Sequence, residues 1–354
     1  MKLAARLREW GVAHPAASSW LALVAVWTIA GVVFYWRFPN NLQYPNFYAE
    51  DGSVLTEGLL HHGFWGAVLA LFNGYCIAGM YLLAQIGFWL NGLLYHGQLA
   101  DLPKAYALVS YGFLGLVAAL PVVLLRAYIG LGWRLLVALA VTVLPITNYD
   151  YAIIGVIGNF KYLFVPVAFM LVMYRIRLPR TSKRIWLADL GLLICLYTDA
   201  AVYLLLPALL LGDGLRPRQL LGLRGLPRRA NVALWSAVVL GVLSLYQIYL
   251  VGRYGIPAIP GYLDEPLRTS PLLEIGVARS YLYPLVYWWY KHLNDVVSVG
   301  MLGLIVAAMW RWGRREHWAV YGVGLAIIAV ATGLFVANRT GVTALFNKYV
   351  SPGP

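Results

Sequence analysis

Residues 18 to 36 read SSWLALVAVWTIAGVVFYW, without a single charge. A helix rises about 1.5 Å per residue, so a run of this length nearly covers the roughly 30 Å hydrocarbon core of a bilayer. Further apolar runs lie at about 75 to 94, 104 to 125, 134 to 148, 159 to 174, 230 to 251, 297 to 311 and 318 to 337. Hydrophobic residues make up 61% of the chain and charged ones 12%, with a mean hydropathy of +0.71. Soluble domains are about half apolar and a quarter charged. The expected fold is therefore all-α: a single polytopic transmembrane bundle over residues 1–354, with roughly 9–11 membrane helices, some of them short or broken.

A net charge of +13 would also suit a nucleic-acid binder. Here the cations come in short clusters between apolar runs, the pattern that orients a membrane protein, so the expected partner is the lipid bilayer and not nucleic acid. The clusters are Arg175, Arg177, Arg180, Lys183 and Arg184, then Arg216, Arg218, Arg224, Arg228 and Arg229, then Arg311, Arg314 and Arg315. The positive-inside rule puts all three, and the amino terminus with Lys2, Arg6 and Arg8, in the cytoplasm. That terminus carries no small-residue cleavage site, and its apolar run is long for a signal-peptide core, so it reads as a retained first span. Cys76 and Cys195 lie in apolar stretches and signal neither a disulfide framework nor a thiolate metal site.

The first span delivers the chain outside, so residues 38–62 form a first extracytoplasmic loop. For Arg126 and Arg134 to be inside, residues 38 to 125 must cross an odd number of times. A helical hairpin of residues 63–73 and 75–94, with Asn73 and Gly74 in its turn, supplies the missing crossing. The alternative leaves both arginines outside. LGLLICLYTDAAVYLLLPALLL, from Leu190, is too long for one span and breaks at Thr198 and Asp199, which fits two short helices with Asp199 at the outer tip. TNYDYAIIGVIGN, residues 147–159, becomes an outer loop, as do residues 252–296, where RSYLYPLVYWWYKHLND reads as an interfacial helix.

The first outer loop holds NFYAEDGSVL, residues 46–55, in a chain with only 14 acidic residues. Carboxylates beside a membrane are costly and usually have a partner or a task. Glu50 and Asp51 are thus the leading candidates for chemistry, although Asp51 equally suits capping of a helix that begins near Ser53. Asp150, Lys161 and Asp199 fall on the same outer face, with Arg279 and Lys348 as cations able to meet a phosphate. His61 and His62 follow the acidic pair as candidate acceptor or phosphate ligands, although such a pair is more often interfacial. Two adjacent carboxylates suit a hard divalent cation such as Mg or Mn, but no spacing marks a complete metal site, and any such ion would rest on Glu50 and Asp51.

YAEDG after a first span, the loop NYDY through GNFKY, and the LYTDAAVYLLLP hairpin together resemble the GT-C superfamily of integral-membrane glycosyltransferases. The resemblance implies a polyprenyl-phosphate-linked sugar as donor, an extracytoplasmic glycan or glycolipid as acceptor, and a bacterial inner-membrane location with the site on the extracytoplasmic face. It points to Asp51 as general base with Glu50 orienting the acceptor or sharing a metal, and to Asp150, Lys161, Asp199, Arg279, Lys348, His61 and His62 as substrate-binding residues. A phosphate is already a good leaving group, so one carboxylate suffices and a single displacement inverts the anomeric centre. The resemblance also leads one to expect more chain after the closing NKYVSPGP. Two other classes fit the composition. A transporter or lipid-linked-sugar flippase would use the same acids but predicts internal repeats, which are not seen, and a noncatalytic scaffold predicts that neutralising the pair alters stability alone.

Overall fold

The computed structural model describes residues 15–199 except 49, 73–75, 144–153, 180–181, together with residues 202, 205, 239–243, 245–246, 249–250 and 253. The described part is helical and contains no strand. Helix α1 (Pro15–Arg37) realises the first expected span, and a one-turn helix α2 (Asn40–Gln43) follows it. Helix α3 (Glu57–Leu69) precedes α4 (Ala78–Tyr95), α5 (Leu102–Leu124) and α6 (Leu131–Val143). Helices α7 (Lys161–Ile176) and α8 (Arg184–Leu196) complete the described helices of that stretch. Among the described residues two segments, Ser18–Arg37 and Leu99–Leu124, are long and apolar enough to cross a membrane, with mean hydropathies of 1.7 and 2.2.

Helices α1 and α5 pack along a seam of small residues. Small side chains let helix backbones approach where water supplies no driving force between them. A Cβ on Gly115 would lie 2.7 Å from the Trp27 carbonyl oxygen and 2.8 Å from the Gly31 nitrogen, and Gly31 itself rests against the Tyr111 carbonyl. The seam is fastened by the Trp27 indole donating to the Gly112 carbonyl at 2.6 Å and by the Tyr111 hydroxyl donating to the Phe38 carbonyl at 2.9 Å. Partners fall in number on α5 as they rise on α1, so the two helices are antiparallel. Along its other face α1 leaves Trp20, Leu21, Val24, Ile29, Val32 and Trp36 exposed. Such a continuous apolar stripe suits contact with lipid.

A tight turn reverses the chain between α4 and α5. His96 ends α4 in the left-handed conformation (φ 55°), Gly97 follows at φ 75°, and the Asn91 side chain donates to the Gln98 carbonyl at 3.1 Å. Left-handed residues at a helix end satisfy its last carbonyls, and glycine adopts that conformation at least cost. Helix α5 is antiparallel to both α1 and α4, yet α4 starts beside the segment that follows α1, with the Tyr81 hydroxyl donating to the Val54 carbonyl at 3.4 Å. The described residues therefore do not show a return crossing between α1 and α4, which is what the expected hairpin required. Its first arm begins earlier than expected, at Glu57 instead of residue 63, and is interrupted at Gly63 (φ 64°, ψ 175°). At 13 residues α3 extends about 20 Å and does not by itself match a bilayer core. The expected turn residues 73 and 74 lie outside the described residues.

Helices α6 and α7 fall on the apolar runs expected at 134 to 148 and 159 to 174, but as described they are shorter than a membrane span. The expected short helix before Thr198 is α8, and most of its partner lies outside the described residues. So do the spans expected at 297 to 311 and 318 to 337 and the loop 252–296, apart from Arg253. Arg175, a member of the first basic cluster, is buried, its Nε 2.5 Å from Oδ1 of Asp189 on α8. A charge taken out of water needs such a partner, and α7 is thereby tied to α8.

The seam yields a paired prediction. Gly115→Ala should lower stability by about 1–3 kcal/mol, because the methyl group meets backbone that cannot swing aside. Gly112→Ala, where a Cβ would meet nothing within 4 Å, should leave stability unchanged or raise it. Thermal unfolding midpoints of the two variants in one detergent check this, and equal midpoints would contradict the seam.

Candidate functional site

The acidic pair lies where the chain leaving α1 turns into α3. Residues Asp51–Thr56 form a π-helical turn that runs directly into α3, with Glu50 just before it. Such turns are rare and recur at functional sites, since an extra residue per turn re-aims side chains at the expense of regular bonding. Two hydroxyls brace this one. Thr56 Oγ1 donates to the Asp51 carbonyl at 2.6 Å and lies 3.0 Å from the Tyr106 hydroxyl on α5. With the threonine proton committed to the carbonyl, the tyrosine is the donor of the second bond.

The Asp51 side chain does not cap its own helix. It reaches across to the segment that feeds α7, residues 154–160. Its Oδ1 accepts the Gly158 amide at 2.5 Å and the Ile157 amide at 3.2 Å, while Ile157 lies 3.4 Å from Oδ2. The capping alternative is thus replaced by a longer-range version of the same chemistry, in which a carboxylate satisfies backbone N–H groups ahead of a helix. The receiving loop is fixed at two further points. Asn41 Nδ2 donates to the Ile154 carbonyl at 3.1 Å, and the Gly155 amide donates to Ser110 Oγ at 2.8 Å.

Two glycines permit this approach. Gly155 has φ 84°, and a Cβ there would lie 2.7 Å from Asn41 Nδ2. A Cβ on Gly158 would lie 2.9 Å from Glu50 Cβ and 3.1 Å from Asp51 Oδ1. The loop is therefore pressed against both acidic residues at once.

Asp51 is only 3% exposed. Burial pushes its carboxyl up to about 7 from an ordinary 3.8; the Gly158 and Ile157 amides pull it down, and the neighbouring Glu50 adds a further upward push. A carboxyl in that range exchanges a proton near neutral pH, as a general base must. Glu50 is partly buried, and its Oε2 is shielded from solvent yet has no hydrogen-bond partner among the described residues. The two acids are thus unlike in their surroundings: one is held by two amides, while the other has an oxygen left over.

The other expected site residues are distributed as follows. Lys161 opens α7 three residues after Gly158, with its ammonium 5.5 Å above the Phe72 ring. Asp199 follows a turn that meets the start of α4, where the Tyr197 carbonyl accepts the Ala78 amide at 2.8 Å and Thr198 Oγ1 accepts the Gly79 amide at 2.7 Å. His61 and His62 are exposed on α3, with His61 Nε2 3.9 Å from Glu57 Oε1. Asp150, Arg279 and Lys348 lie outside the described residues. Sequence reasoning missed Thr56, Tyr106, Ser110 and Asn41 as the framework of the pair, and the GVIG run was the only local hint of close backbone approach.

Among the described residues no group of three or more His, Cys, Asp or Glu side chains is arranged to hold a metal ion. A cation at Glu50 and Asp51 would have to draw its remaining ligands from water or substrate. No protein-family model, curated protein or solved structure matches the chain.

The raised carboxyl sets a pH dependence. A group whose folded pKa lies above its unfolded value contributes stability that is full below about pH 4 and lost as pH rises through about 7. The stability of the wild type minus that of Asp51→Asn should therefore fall over this window, by no more than about 4 kcal/mol. Unfolding midpoints of both proteins measured from pH 4.5 to 8 test the sign, and a difference that rises with pH would contradict it.

Proposed function

We propose that this chain is a multi-pass glycosyltransferase of the GT-C kind. In this reading it sits in the bacterial inner membrane and moves a hexosyl or pentosyl unit from a polyprenyl-phosphate donor to an extracytoplasmic glycan or glycolipid of the cell envelope. The observation that carries the proposal is the Glu50–Asp51 pair, packed against a glycine loop just after the first apolar helix and containing an oxygen without a donor among the described residues. A membrane chain keeps buried acid in such a place only if something offsets its cost. Backbone amides offset it for Asp51, and a substrate hydroxyl would do so for Glu50.

The chemistry fits a single displacement. The donor's leaving group is a phosphate, which departs without a general acid, so the protein must chiefly hold the acceptor hydroxyl and take its proton. The pair supplies that carboxylate. Positive charge is needed where the phosphate leaves, and Lys161, beside the loop, with Arg279 and Lys348 further along the chain, are the proposed suppliers. The pair lies beyond the Arg37 end of α1, close to one end of the bundle, an arrangement suited to a site open to one face.

The proposal predicts that protein reconstituted in lipid transfers label from at least one member of a panel of polyprenyl-phosphate hexoses and pentoses. The double variant Glu50→Gln/Asp51→Asn should transfer none above background while keeping a cooperative unfolding transition. Transfer by the double variant at the wild-type rate would remove the pair from the chemistry.

A further inference from the structure

We infer that the two acids divide the work, with Glu50 as the catalytic base that receives the acceptor's proton and Asp51 as the positioning residue that fixes the loop against it. The assignment rests on the proposed glycosyl transfer and reverses the roles that sequence resemblance suggests. Its basis is the unequal bonding of the pair. Asp51 Oδ1 already accepts the Gly158 and Ile157 amides, the Ile157 amide also lies 3.4 Å from Oδ2, and the residue is 3% exposed, so this carboxylate is tied to the loop backbone. Glu50 Oε2 is buried without a donor among the described residues. A buried carboxylate oxygen retains the full penalty of desolvation until a donor reaches it, and a sugar hydroxyl is a donor of the right kind.

The surrounding geometry supports the division. Gly158 presses on the Glu50 Cβ and on Asp51 Oδ1 together, so the bonds that Asp51 makes to the loop also fix the wall beside Glu50. The Thr56 and Tyr106 hydroxyls hold the Asp51 backbone from the other side. Asp51 thus stands between two anchored elements, whereas the longer Glu50 side chain has one buried oxygen without a partner among the described residues.

In the reaction the acceptor hydroxyl oxygen attacks the anomeric carbon of the donor. The bond from that carbon to the phosphate oxygen breaks, and its electron pair leaves on the phosphate. The hydroxyl proton passes to Glu50 Oε2. No metal or redox partner is required for the balance.

Single variants in lipid test the division, with any donor that the wild type uses. Glu50→Gln should lower kcat by at least about 100-fold with donor KM and unfolding midpoint little changed, and Glu50→Asp should recover part of that loss. Asp51→Asn, whose side-chain oxygen can still accept the Gly158 amide, should lose less than about tenfold in kcat, because the base is elsewhere. If Asp51→Asn is the inactive variant and Glu50→Gln retains activity, the assignment is overturned while glycosyl transfer stands. If the wild type transfers from no donor in the panel, the proposed function falls and takes the assignment with it.

Discussion

A single carboxylate joins two parts of the chain more than 100 residues apart, because Asp51 accepts the Ile157 and Gly158 amides. Much of the described architecture around the acidic pair depends on that junction. The segment leaving α1 would otherwise lose its direct bond to residues 157 and 158, and the loop ahead of α7 would carry two amides without that partner into a buried place. Both problems are answered by one set of bonds, charge-assisted when the carboxyl is ionised and thus stronger than their neutral counterparts. The cost is a buried acid whose ionisation is opposed by its surroundings. Proteins accept that kind of cost where the charged group has a function beyond packing.

Helix placement was legible in the sequence for a simple reason. Long apolar runs stand out from the polar segments between them, so hydropathy marks α1, α4, α5 and α7 to within a few residues, and among the described residues it marks α1 and the segment holding α5 as long and apolar enough to cross a membrane. The signal weakens where a helix is short. The first arm of the hairpin was expected from residue 63, but α3 starts at Glu57, because polar Glu57, His61 and His62 lie in a helix that presents them to solvent and therefore need not be apolar. Gly63, which interrupts that helix, looks in sequence like any other glycine in an apolar stretch.

The site was legible only in part. Two adjacent acids in an acid-poor chain drew notice to Glu50 and Asp51, and the loop quoted for the resemblance contains the amides that Asp51 meets. Nothing local, however, announces a π-helical turn at Asp51–Thr56 or pairs Thr56 with Tyr106, since these depend on where α5 comes to lie. Arg175 shows the same limit from the opposite direction. A basic cluster at a helix end normally sets orientation, and only the tertiary structure reveals that one member is buried against Asp189. Patterns of residue type give the elements, while bonds between distant residues give the site.

The same distinction bears on how an acidic pair should be read. Adjacent residues in a helical turn point in different directions, so two neighbouring carboxylates seldom share one environment. The side chain already bonded to backbone is restrained, and its proton affinity reports burial and amides more than any ligand. The side chain with an unused buried oxygen is the one whose free energy a ligand can improve. On that argument the more perturbed acid is not automatically the reactive one. A pKa near neutrality makes Asp51 conspicuous, but under the proposed transfer it is the Glu50 oxygen, buried without a donor among the described residues, that a sugar hydroxyl would meet.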